Sequence, residues 1–268
     1  ETYTHTSLAE AELALAGELV DGNGDPVTEN HAWLGADGPV TGPGVVVGPL
    51  VQFEIPTVIN LNADSFSGST FGNFTPDDQA PGLPGDVNAE GADAEVIAYV
   101  EFPAGWVSMG VNSDDGFRTE AGYINDPEDR MLLGEFDGGR GAADSVFSIF
   151  VEEAGVYPVR TIWMNGTGDA SIEIFTIKDD GTTPVLLNDT DNGGLKTYRS
   201  GEPAIPSLTP PDPSIALTDG IVEITWSGAG SVLQQSTDLD TWTDVAGASS
   251  PYRPDTGAAS VVFYRLRN

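Results

Sequence analysis

The chain has 268 residues, of which 42 are acidic and 10 are basic, so its formal net charge at pH 7 is −32. This charge disfavours nucleic acid and anionic membranes as partners, because nothing offsets the repulsion. The absence of cysteine excludes disulfides, thiolate nucleophiles and cysteine-based zinc sites.

The remaining composition is that of a folded protein. Hydrophobic residues make up 39% of the chain, and its length suffices for one large or two modest domains. No apolar run reaches the roughly 18 residues of a membrane helix. Lys178 and Lys196 are the only lysines. High acid with little lysine indicates a saline, marine habitat, although an acidic surface also serves solubility at any salt concentration.

The N-terminal segment, residues 1–36, predicts a helix followed by turns. The sequence Ser7-Leu8-Ala9-Glu10 is a capping box, and it predicts a short helix near 8–16 that ends at Gly17. The next polar stretch, 21–26, begins like a calcium-binding loop. It then departs from that pattern at Pro26 and Ala32, where such loops need glycine and glutamate, so we predict a polar turn instead.

Residues 37–200 predict an all-β unit. Period-two alternation or β-rich composition predicts strands at 51–55, 95–102, 107–111, 131–136, 145–151, 159–164, 171–177 and 185–189. Both faces of the strand at 145–151 are largely apolar, which predicts a central position between layers. The strands at 159–164 and 171–177 predict a hairpin across the Asn165-Gly166 turn. The long tract 64–92 contains Phe66, Phe71 and Phe74, and it is either functional or pinned across the sheet by these rings.

A proline-rich linker at 201–213 separates this unit from a smaller one at 214–268. Five short strand patterns in the smaller unit predict a second, small β-sandwich. The stretches 233–239, 242–245, 249–252 and 263–267 resemble the immunoglobulin- or fibronectin-like modules at the ends of secreted proteins of Verrucomicrobia and Planctomycetes. This resemblance says little about activity.

The most informative stretch is Asn112-Ser113-Asp114-Asp115-Gly116-Phe117-Arg118, which closes one predicted strand and opens a loop. About forty residues later the chain reads Ala154-Gly155-Val156-Tyr157-Pro158-Val159-Arg160, and then Asn165-Gly166-Thr167-Gly168-Asp169-Ala170-Ser171-Ile172-Glu173-Ile174. These three motifs, in this order, resemble the PA14 (protective-antigen) domain family. The resemblance covers roughly residues 50–200 and implies a PA14-like β-sandwich.

The resemblance also implies a site. In the lectin-like branch of the family, the paired aspartates are joined by a cis peptide and bind calcium, which ligates sugar hydroxyls, and an asparagine from a later loop completes the site. The matching positions are Asp114, Asp115 and Asn165. Asp169 is a further candidate metal ligand.

Three further residues are candidate ligand-binding positions: Asn112, Gly116 and Trp163. The alternatives are that the aspartate pair only caps a turn, and that Trp163, which lies in a strand pattern, belongs to the core.

No catalytic motif accompanies these residues. His5 and His31 both precede the recognisable domain, and neither a nucleophile elbow nor a phosphate-binding loop nor a zinc-protease motif is present. Spacing does not exclude glycoside hydrolysis, which needs only two carboxylates. The expectation is a non-catalytic, calcium-dependent carbohydrate-binding or adhesion protein, extracellular or at the cell surface. The alternative is a structural subunit of an adhesin or fibre, with self-association and calcium only rigidifying loops. The sequence does not specify the sugar.

Overall fold

A computed structural model describes residues 6–63, 70–83, 89–122, 130–199, 214–218, 221–226, 232–237, 241–254 and 261–267. Its regular structure is nearly all β, which confirms the predicted fold class. Within the described residues there is one α-helix, α1 (Leu8–Ala16), and one short 3-10 helix, Thr190–Asn192. Neither has the length and hydropathy that a helix needs to span a bilayer. The chain divides into two units, Glu1–Glu202 and Pro203–Asn268.

Two largely antiparallel sheets form the body of the first unit. Its strands are β1 (Val45–Val47), β2 (Leu50–Gln52), β3 (Asn60–Asn62), β4 (Asp78–Gln79), β5 (Ala92–Phe102), β6 (Gly105–Asp114), β7 (Gly116–Ala121), β8 (Met131–Phe136), β9 (Ala143–Val151), β10 (Gly155–Asn165), β11 (Ser171–Ile177), β12 (Pro184–Leu186) and β13 (Thr197–Tyr198). The five-stranded sheet has the order β13-β5-β10-β7-β8. The six-stranded sheet has the order β4-β3-β11-β6-β9, with β12 beside β11. Strands β1 and β2 form a separate hairpin.

The core lies between these two sheets, as the period-two patterns predict. Met109 and Val111 of β6 are fully buried against Phe117 of β7 and Trp163 of β10. Alternate residues of each strand point to opposite faces, so the residues between the core positions lie on the outer faces of the sheets. The outer face of the six-stranded sheet includes Asn112, because Asn112 is adjacent in β6 to the inward-facing Val111.

The predicted hairpin of 159–164 with 171–177 is wrong. Strand β10 pairs with β5 and β7 in one sheet, whereas β11 pairs with β3, β6 and β12 in the other. The connection after Asn165 therefore crosses from sheet to sheet. Strands β6 and β7 are likewise in different sheets, so the chain also crosses at Asp114-Asp115.

The predicted central position of 145–151 is also wrong. Strand β9 is the last strand in the order of its sheet and pairs with β6. Phe147 and Ile149 pack against the core, whereas Val146 and Phe150 on the other face are 58% and 61% exposed. A strand with apolar residues on both faces thus does not need to be covered by other elements on both faces.

Helix α1 forms as the capping box predicts, and it packs on the outer face of the five-stranded sheet. Ser7 Oγ accepts from the Glu10 N–H, and Gly17 closes the helix in the left-handed region at φ 72°. Leu8 and Ala11 are buried against Ile162 and Met164 of β10. The polar stretch that follows is a turn, as predicted. Its Asp21 Oδ1 accepts from the N–H groups of residues 23 and 25.

Within the tract 64–92, strand β4 joins the edge of the six-stranded sheet beside β3, and the residues just before β4 contact the outer face of that sheet. The ring of Phe74 contacts that of Phe175 in β11, with centroids 6.1 Å apart. This contact fixes the tract on the sheet through an aromatic ring, which is one of the two alternatives that the sequence predicts. Phe66 lies outside the described residues.

The second unit contains five short strands, β14 (Ser214–Thr218), β15 (Ile221–Thr225), β16 (Val232–Ser236), β17 (Thr243–Asp244) and β18 (Phe263–Arg267). They form the hairpin β14-β15 and the three-stranded sheet β17-β16-β18. Ile224 and Leu233 are its buried apolar residues among those described. The predicted linker 201–213 lies outside the described residues.

Candidate functional site

The candidate site lies where the two sheet crossovers meet at one end of the first unit. The Asp114–Asp115 peptide bond is cis, as the family resemblance implies. The Asp115 N–H donates to Met164 O of β10 at 3.2 Å. The indole N–H of Trp163 donates to Asp114 O at 2.9 Å. Strand β10 thus fixes the backbone of both aspartates.

The carboxylate of Asp115 accepts hydrogen bonds from two other loops. Its Oδ1 accepts from the Arg140 N–H at 2.7 Å, and its Oδ2 accepts from the Gly166 N–H at 2.9 Å. The side chain is only 7% exposed. Each carboxylate oxygen has a second lone pair, so these hydrogen bonds orient Asp115 without exhausting its capacity to bind a cation.

The carboxyl group of Asp114 lies where a negative charge is unfavourable. Burial, together with the charges of Asp115 and Asp169, raises the pKa of Asp114 to about 7, although a backbone hydrogen bond from Ala142 and the charge of Arg140 act in the opposite direction. Asp169 itself is exposed. A bound cation would stabilise the ionised form of Asp114.

Asn165 supplies a buried oxygen beside this pair. It is fully buried, and its Nδ2 donates to Ala89 O at 2.9 Å. Its Oδ1 is also buried and has no hydrogen-bond partner. A buried carbonyl oxygen without a donor is unusual, and it is a suitable ligand for a hard cation. The neighbouring Gly166 N–H contacts Asp115, so Asn165 lies next to the aspartate pair.

These residues fit calcium, subject to one constraint. Across the described part of the chain, no group of three or more acidic or histidine side chains could hold a metal ion. The carboxylates of Asp114 and Asp115 would therefore need amide or backbone carbonyl oxygens to complete the six to eight ligands that calcium takes. Asn165 Oδ1 is such an oxygen.

The three predicted ligand-binding residues are all buried. Trp163 is 3% exposed and lies in the core between the sheets, so it cannot stack on a sugar ring. A side chain added at Gly116 would meet Met164 Cε at 2.8 Å, so this glycine permits close packing. Asn112 is 5% exposed and donates to Asp144 Oδ1 at 2.6 Å. Trp163 and Gly116 therefore support the aspartate pair from the core side, Trp163 through its hydrogen bond to Asp114 O and Gly116 through close packing.

Sequence reasoning missed Arg140, which braces the site. Its Nη2 donates to Ser113 Oγ at 2.7 Å, its Nε to Ser113 O at 3.1 Å and its Nη1 to Ser145 Oγ at 2.9 Å. The guanidinium lies 4.4 Å from the ring centroid of Phe136. The only signal in the sequence was that arginine is rare, since the chain has just eight arginines.

No family model and no curated protein matches this chain. Several solved structures are similar to it. The PA14 domain of the antifreeze protein MpAFP shares 17% identity over 46% of this chain and 56% of its own, at a TM-score of 0.34. A PA14 sugar-binding domain from an RTX adhesin shares 16% over 69% of this chain and 85% of its own, at 0.36. The A domain of epithelial adhesin 6 from Candida glabrata, in complex with a galactose-containing disaccharide, shares 14% over 37% and 48%, at 0.31. This chain thus spans about half of the first and third of these structures.

Proposed function

We propose that the first unit is a PA14-like domain that binds carbohydrate through calcium held by Asp114, Asp115 and Asn165. The protein would then be a non-catalytic lectin-like or adhesion protein, extracellular or at the cell surface. The observation that carries this proposal is the unpartnered, buried Oδ1 of Asn165 beside two buried carboxylates. The sequence resemblance supplies the assignment to sugar.

The chemistry of the donor set favours calcium over transition metals. Carboxylate and amide oxygens are hard ligands, and calcium tolerates irregular sets of them. Asp169 is exposed beside the pair, and its charge acts on Asp114, so it is the candidate ligand nearest to solvent. Calcium bound here would offer open coordination positions to sugar hydroxyls, which are hard oxygen ligands of the same kind.

Calorimetric titration with calcium chloride tests the metal, and a glycan array with and without chelator tests the ligand. Asp114→Asn and Asp115→Asn should abolish calcium binding at this site and all sugar binding. At calcium a hundredfold above Kd, binding adds about 2.7 kcal/mol to the free energy of unfolding, and chelation should remove it. Asp191→Asn, an exposed aspartate in the 3-10 helix, is the control with the same charge change. Unchanged calcium affinity in both site variants would show that the pair only caps a turn.

One observation favours the alternative of a structural, self-associating subunit. Trp106 and Phe150 form a T-shaped pair with centroids 5.5 Å apart on the outer face of β6 and β9, and they are 74% and 61% exposed. Sedimentation velocity should detect oligomers if this surface joins copies of the chain, and Phe150→Ser should then dissociate them. Glycan binding by a monomer would favour the lectin function.

The second unit is proposed as the immunoglobulin- or fibronectin-like module.

A further inference from the structure

A second cluster of buried oxygens lies on the outer face of the six-stranded sheet, beneath the loop of residues 71–77 (the 71–77 loop). Strand register aligns Asn60 of β3, Glu173 of β11, Asn112 of β6 and Asp144 of β9 in one row across the sheet. Directly opposed residues in antiparallel strands have Cβ atoms about 5 Å apart. The row therefore gathers polar side chains from four strands.

Several oxygens of this cluster lack donors. Asn60 Oδ1, Asn112 Oδ1 and Asp77 Oδ1 are buried without a hydrogen-bond partner. Asn60 and Asn112 are 4% and 5% exposed. Native proteins pair nearly all such atoms, so this concentration of unpaired acceptors points to a missing group that supplies positive charge or protons.

The 71–77 loop holds both of the residues Asn60 and Asp77 through hydrogen bonds. Asn60 Nδ2 donates to Pro76 O at 3.0 Å, so its Oδ1 lies under the loop. Asp77 Oδ2 accepts from Asn62 Nδ2 at 3.1 Å and from the Phe71 N–H at 2.9 Å. The other oxygen of Asp77 stays buried and unpaired.

The buried carboxylate of Glu173 adds negative charge to the cluster. Glu173 is 2% exposed and accepts from the N–H groups of Asn73 and Phe74, each at 2.9 Å. Among the described residues, the ion pairs of the chain include no arginine or lysine with either Glu173 or Asp77. Burial of an unpaired carboxylate is costly, and a cation would offset that cost.

We propose that Asn60 Oδ1, Asp77 Oδ1 and the Glu173 carboxylate belong to a second divalent-cation site, which takes calcium and fixes the 71–77 loop on the sheet. The set combines two carboxylates with an amide oxygen, as hard cations prefer. It shares no ligand with the site at Asp114 and Asp115. The two sites can therefore be removed separately by substitution.

Calcium stoichiometry in the Asp114→Asn/Asp115→Asn double variant tests this proposal. Titration with calcium chloride should give one equivalent in this variant, because the first site is removed and the second remains. Adding Asp77→Asn should abolish the remaining equivalent. The new amide can donate to the unpaired oxygens, so the melting temperature without calcium should stay constant or rise. This pairing of lost binding with retained stability separates a ligand role from a merely structural one.

Asp179→Asn, in an exposed turn after β11, is the matched control for the change of charge, and it should leave the equivalent intact. The anomalous signal of terbium soaked into crystals of the full chain is a second test, which needs no variant. We expect a peak beneath the 71–77 loop. A folded double variant that binds no calcium, together with no terbium peak there, would overturn the proposal and assign the unpaired oxygens to ordered water.

Discussion

Arg140 and Asp115 show how single residues hold the candidate site. Asp115 accepts backbone N–H groups from two loops, and the Arg140 side chain donates to Ser113 and Ser145. The guanidinium also offsets part of the charge that the aspartates concentrate. The site is therefore braced through hydrogen bonds between protein groups.

Arg140→Leu should lower the free energy of unfolding by about 2–4 kcal/mol, because it leaves buried acceptors at Ser113 without donors. Urea unfolding monitored by tryptophan fluorescence measures this change. Arg199→Leu is the control, because the ion pair of Arg199 with Glu54 is exposed and such pairs contribute about 1 kcal/mol or less. Equal losses in the two variants would contradict a bracing role for Arg140.

Helix α1 shows how an element is attached to a sheet by charge as well as by apolar contact. Glu12 accepts from Arg160 at 2.8 Å and also pairs with Arg118, both on the outer face of the five-stranded sheet. Burial alone would raise the pKa of Glu12, but the hydrogen bonds and charges of Arg160 and Arg118 lower it below 4.5. The ionised form of Glu12 is therefore favoured in the folded state.

Glu12→Gln should destabilise the protein at neutral pH and cost progressively less in acid. Because the folded pKa lies below the unfolded value of 4.5, this contribution is fully present above that pH and is lost as the pH falls through the folded pKa. Thermal unfolding of both proteins at pH 7 and near pH 3 measures the difference. Glu152→Gln, at an exposed position, is the control for the change of charge. A difference in melting temperature that is the same at both pH values would contradict the ion-pair account.

At the scale of the whole molecule, the net charge of −32 opposes compactness. The cations that bind clustered carboxylates would relieve part of this repulsion locally, and dissolved salt relieves it over the whole surface. The saline-habitat interpretation stays a prediction that stability measurements can test.

The melting temperature should rise between 0.1 and 1 M NaCl, because the Debye length shortens from about 10 Å to about 3 Å. Calorimetry with chelator present separates this effect from calcium binding. A flat or falling melting temperature over that range would remove the argument for a saline habitat.

Limited proteolysis should cut first within 201–213, because the proline-rich composition there favours extended linker geometry and few contacts. Mass spectrometry of the fragments locates the cleavage site, and a fragment of 214–268 should keep a folded circular-dichroism spectrum. First cleavage within 64–92 would contradict the assignment of the linker.

The sequence by itself determined the local features. The capping box placed α1, the period-two patterns placed most strands, and the resemblance at Asp114, Asp115 and Asn165 located the candidate site and implied its cis peptide. These features depend on neighbours along the chain, or on short motifs, so they can be predicted without knowledge of the packing.

Only the tertiary structure decided which sheet each strand joins and what covers each face. It separated β10 from β11, put β9 at the end of its sheet, buried Trp163 in the core and brought Arg140 to the aspartates. Alternation shows which residues share a face of a strand, but it contains no information about the strand that pairs alongside or the loop that packs above. Those choices depend on contacts between distant parts of the chain, and the unpaired oxygens of Asn60 and Asn165 become visible only when such contacts are known.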